Sequence, residues 1–137
     1  MANGNYKEVM DRFRRRVKEE PVAVIRHVAE EMSDRVIHRT PVDTGEARGN
    51  WRPAINAIDQ QHDPNSLDQS GDVQTAQAKA AAEQMKLGDV FSLANSTPYI
   101  GQLEYEAKSG QAPNGFLGIT VAEFPLIVEE AARRRRP

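Results

Sequence analysis

Two prolines bracket the segment that most limits how this chain can fold. Between Pro21 and Pro41 the apolar residues Ile25, Val28, Met32 and Val36 recur at steps of three and four, the spacing that lines one face of an α-helix. Pro21 suits the first turn of that helix, where a missing N–H costs nothing. Thr40-Pro41 ends it near Arg39, because the residue before a proline avoids the α region. Upstream, Tyr6, Val9, Met10, Phe13 and Val17 show the same spacing. The N-terminal part therefore reads as two amphipathic helices with a tight join at Pro21, a hairpin or a kinked pair.

The periodicity then changes. Trp51, Pro53 and Ile55 alternate with Arg52, Ala54 and Asn56, which predicts a short half-buried strand, with Pro53 at a sheet edge or bulge. Trp51, the sole tryptophan, reads as a core anchor. Residues 59–72 are polar with Pro and Gly and offer only Leu67 for packing, so a mobile loop is expected there. An alanine-rich, helix-favouring stretch follows, closed by Gly88-Asp89, and VFSLAN at 90–95 reads as a second strand. Pro98 starts a short helical turn, GQAPNG is a loop, and residues 116–132 form a last amphipathic helix. Pro125 kinks that helix or marks its true start. The expected fold is α+β in a single domain over 1–137: N-terminal helices, a small antiparallel β-sheet and a C-terminal helix.

Composition narrows the function. Only 6% of residues are aromatic and mean hydropathy is -0.65, so the core is thin and apolar surface is left for a neighbouring subunit to complete. The absence of cysteine excludes disulfides and thiolate metal sites. No apolar run approaches the ~20 residues of a membrane span, and the polar residues 1–6 lack the apolar centre of a signal peptide. A cytoplasmic protein, or a component of something assembled there, is expected. Net charge is -2, which argues against general nucleic-acid binding. Basic residues nonetheless gather between Lys7 and Lys18, including Arg14, Arg15 and Arg16, and again at Arg133 to Arg136. They read either as a solvated helix face and a basic tail or as a contact for an acidic surface or DNA phosphates. Glu8, Asp11, Glu19 and Glu20 dilute the first group.

The segment TPVDTGEARGNW carries Asp43-Thr44-Gly45, the triplet of aspartic proteases. That chemistry needs two carboxylates sharing one proton, each in a loop after a buried strand. Here the triplet follows a helix and precedes Glu46. It reads as a turn, with Asp43 as a helix cap, Glu46 completing a capping-box variant and Gly45 relaxing the backbone. His27 and His38 lie three helical turns apart, and His62 stands in the polar loop beside no other ligand, so each reads as solvated. Ser92 and Ser96 lack a His-acid constellation, and Gly101, Gly110, Gly115 and Gly118 lack the setting of a phosphate loop. Glu104 and Glu106 flank Tyr105 with no second carboxylate opposite. No catalytic, cofactor-binding or metal-ligating residue is expected, and the chain reads as a non-enzyme.

One chain-wide order of features does stand out. Thr40-Pro41-Val42-Asp43-Thr44-Gly45 with Trp51 is followed by Asn95, Pro98-Tyr99 and Leu103-Glu104-Tyr105. Ala112-Pro113-Asn114-Gly115 and Thr120-Val121 with Phe124 complete it. Over roughly residues 20 to 130 the chain resembles the tail-completion or neck proteins of long-tailed bacteriophages, the head-tail junction family of the HK97 type. It departs where Glu106 stands in place of the usual Gly after the Glu-Tyr pair, and in the long loop 59–72. The resemblance implies a structural virion protein, found at the head-tail junction and in the host cytoplasm during assembly. Its subunits would form a homo-oligomeric ring, a hexamer by family analogy. The ring would join the connector or stopper to tail-terminator or tail-tube proteins and let phage DNA pass, with no membrane involved. Arg14, Arg15 and Arg16 would serve as interface residues. The rival expectation is a small DNA-binding regulator or toxin-like host-side protein.

Overall fold

The structure is a computed structural model that describes residues 6–12, 21–105, 110–112 and 115–134. Its elements are α1 (Pro21–Arg39), a 3-10 turn (Arg48–Asn50), β1 (Trp51–Ile55) and α2 (Asp72–Glu83). They continue with β2 (Phe91–Asn95), α3 (Ile100–Tyr105), α4 (Leu117–Ala122) and α5 (Phe124–Arg134). A helical segment at 6–12 precedes them. The α+β class, with helices at both ends and a small antiparallel sheet, is as the sequence implies.

The central element is α1, which spans the range its flanking prolines define. It packs against α2 and also against α4 and α5, so its buried surface is wider than one stripe. Val24, Ala29, Ser33, Val36 and Ile37 are the buried positions, while Ile25 packs on the Ala29, Ala82 and Met85 cluster. Buried Gln74, Ala78 and Ala82 recur every four residues along α2, and the two alanines let this helix approach α1 closely. The helical segment at 6–12 buries Val9 and ties Arg12 to Glu129 of α5 at 2.7 Å. Phe13 and Val17 lie outside the described residues.

β1 and β2 pair antiparallel, Trp51 opposite Asn95 through Ile55 opposite Phe91. The Asn56 N–H donates to Val90 O, so the alternation of an antiparallel ladder makes 54/92 and 52/94 the hydrogen-bonded pairs. Pro53, opposite Leu93, therefore points its missing N–H away from β2 and costs the ladder nothing. Trp51, Val36, Ile37, Ala78, Ala112 and Phe116 form the main core, in which the Trp51 and Phe116 rings meet edge to face at 6.3 Å. The single C-terminal helix of the sequence reading is two helices. They break at Glu123, and Pro125 stands in the first turn of α5, marking its true start.

Candidate functional site

A helix ends with carbonyls that have no partner within it, and the segment after α1 supplies one. Arg48 donates through Nε and Nη2 to Thr40 O at 3.1 and 2.7 Å, and through Nη2 to His38 O at 2.9 Å. Its Nη1 reaches Gln69 O at 2.7 Å, so one guanidinium closes α1 and fastens the polar loop. The buried Thr40 hydroxyl donates to Val36 O and accepts the Trp51 indole N–H at 2.8 Å. Asn50, fully buried, donates to Glu46 O and Asp63 O and accepts the Asp63 N–H. Gly49 lies so close to this loop that an added Cβ would stand 2.1 Å from Ser66 O.

The triplet 43–45 is a turn, but not the expected cap. The 3-10 turn begins after Ala47, which offers no side-chain cap, so Asp43 and Glu46 sit too early to box it. Asp43 is exposed, and among the described residues no hydrogen bond reaches its side chain. The local acceptor is Thr44, whose Oγ1 takes the Glu46 N–H. Gly45 adopts φ 96, with Asp68 and Gln69 amides 2.9 Å from where a Cβ would stand. Glu46 turns instead to His62, Oε2 to Nε2 at 2.6 Å, and accepts the Tyr99 hydroxyl at 3.3 Å. His62 is thus no solvated loop residue: its side chain is 23% exposed and anchors the loop. Burial, reinforced by the negative charge of Glu46, pushes the Tyr99 hydroxyl above its ordinary pKa.

Pro41, Asp43, Glu46, Tyr99, Leu103 and Gln111 line a shallow cleft of about 210 Å³. Within it the Gln111 amide pairs with Val42, accepting from N and donating to O at 2.9 and 2.6 Å. Among the described residues no hydrogen bond joins the two carboxylates of the cleft. Asp43 has no hydrogen-bond or ion-pair partner among the described residues, and Glu46 is committed to His62 and Tyr99. Among the described residues no group of three or more His, Cys, Asp or Glu could hold a metal.

Glu104 has a role that its sequence context did not reveal. Its carboxylate accepts the backbone N–H groups of Phe116, Leu117 and Gly118 at 2.7, 2.8 and 2.8 Å, capping α4 from a different element. Burial pulls the Glu104 pKa upward, but the three N–H bonds outweigh it and hold the carboxyl below its usual value. Gly115, at φ 85, makes room for this: a Cβ there would stand 2.9 Å from Glu104 Oε2. The available signal was the start of α4 itself, where Phe116 stands at the cap position and cannot supply an acceptor.

The other motif residues divide between scaffold and surface. Asn95 links the end of β2 to Ala47 O and accepts the Thr97 N–H, and Ala112 is buried. Pro98 is exposed, Tyr99 is 36% exposed and Tyr105 81% exposed. Arg14, Arg15, Arg16 and Pro113 lie outside the described residues. No family model, no curated protein and no solved structure matches this chain.

Proposed function

We propose that this chain is a structural virion protein of a tailed bacteriophage, a tail-completion or neck subunit. It assembles into a homomeric ring at the head-tail junction, joins tail to connector and lets DNA pass. The observation that carries this reading is what the resemblance-bearing residues do. Thr40, Gly45, Trp51, Asn95, Glu104 and Gly115 are spent on holding elements together. Motif residues that divide between scaffold and exposed surface suit a protein whose work is mechanical. The exposed apolar side chains, Tyr105, Leu117, Val121 and Leu126 among them, are of the kind that assembly covers.

Electron microscopy of the purified chain, alone and mixed with the connector of its own phage, tests the proposal. Annular particles without salt-sensitive binding to random duplex DNA support it. Tight DNA binding that falls steeply with salt, with no annular assembly, favours the regulator reading and defeats this one.

A further inference from the structure

The two-stranded sheet has two edges, and among the described residues only one is guarded. On β1 the outward edge carries Pro53, which has no N–H to offer, and its Trp51 carbonyl is taken by Gln74 Nε2 at 2.6 Å. On β2 the backbone groups of Phe91, Leu93 and Asn95 face away from β1, since 54/92 and 52/94 form the ladder. No described group donates to or accepts from them. Proteins ordinarily blunt such an edge with charge, proline or a bulge. The strand FSLAN has none of these: its residues are uncharged, and its register with β1 runs one to one without interruption.

We propose that the β2 edge is an interface for a second copy of this chain, the two β2 strands pairing antiparallel about a two-fold axis at Leu93. The strand is its own complement in that arrangement. Leu93 meets Leu93 of the second copy, Phe91 meets Asn95, and Asn95 meets Phe91, which are the three positions whose N–H and C=O face outward. Every outward group finds its partner through one symmetry operation, and no like charges are opposed. Phe91 and Leu93 already pack on the core, so the pairing continues one apolar face across four strands, where two alone are marginal. A two-fold pair closes on itself, so this contact is separate from the head-to-tail contact of the proposed ring.

The test uses the full chain. Because it has no cysteine, Ala94→Cys and Lys79→Cys each give a single site for a nitroxide. In the pair the two Ala94 Cα atoms lie about 8 Å apart, from strand spacing and rise, while Lys79 on α2 is remote from the edge. Sedimentation is expected to show a concentration-dependent doubling of mass, with dipolar broadening at position 94 and none at 79. Leu93→Pro removes the outward N–H at a position where Pro53 shows that the ladder with β1 tolerates the ring, and should weaken pairing about tenfold or more. Should that variant unfold, the broadening at position 94 decides. A monomeric mass at every concentration, or association with a sharp spectrum at position 94, overturns the proposal. A ring with a sharp spectrum at 94 sinks the pair and spares the ring, and a broadened pair that never forms rings on the connector does the reverse.

Discussion

Glu104 offers the sharpest prediction because three short bonds to one carboxylate hold a whole corner of the fold. Without them the N–H groups of the cap residue Phe116 and of Leu117 and Gly118 in the first turn of α4 lose their only described acceptor, and the helix start comes away from α3. An N-cap loss costs about 1 kcal/mol and bonds to a charged acceptor are worth roughly 1.5–3 kcal/mol, so Glu104→Ala should cost about 2 kcal/mol. Glu104→Gln keeps one acceptor oxygen and loses the charge, so about 1 kcal/mol is expected. For a chain of this length each kcal/mol moves Tm by roughly 3–4 °C, so the two variants should melt about 7 and 3 °C below the parent. The effect has a definite pH signature. The folded-state carboxyl is held below the ordinary value of 4.5, so the unfolded chain takes up a proton first. The stabilisation is complete above 4.5 and disappears as pH falls through the folded value. Calorimetry of parent and Glu104→Gln from pH 7 downward should show a gap that narrows on acidification. Equal melting at pH 7, or a gap that widens in acid, would refute the reasoning.

Three further outcomes follow from the site. Arg48→Met should destabilise by about 2–3 kcal/mol in urea unfolding, because it strips the donor from carbonyls that close α1; a change under ~0.5 kcal/mol, the size of an ordinary surface substitution, would contradict that. Asp43→Ala should fall within about 0.5 kcal/mol of the parent, whereas a working cap would make it cost about 1 kcal/mol. Asp68, buried in the polar loop, accepts the N–H groups of Gly71 and Gln74 at 3.2 and 2.9 Å. Hydrogen exchange should therefore show slow amides at 71 and 74 that become fast in Asp68→Ala, and fast exchange there in the parent would count against the loop as drawn.

Much of the fold was legible because its signals are local. The limits of α1 follow from prolines that act on their immediate neighbours, and both strands follow from alternation around Trp51 and Leu93. Pro125 could be placed only as a kink or a start, since its missing N–H is compatible with either. The helix divides at Glu123, which leaves Pro125 in the first turn of α5. The site was legible only in part. Asp43 and Glu46 have the spacing of a capping box, but no local pattern reveals that the helical turn starts after Ala47. The bonds from His62 to Glu46, Glu104 to α4 and Asn50 to Asp63 join residues set side by side by packing of other elements. Polar loops show no apolar periodicity, so the anchors of 59–72 were invisible for the same reason.

The central claim is a place in a particle, and it can be looked at directly. Tailed particles from cells that carry the gene, with an epitope fused to this chain, can be labelled with gold and imaged by electron microscopy. The account predicts gold confined to the head-tail junction. Gold absent from intact particles, or spread along the tail or over the head, would contradict it.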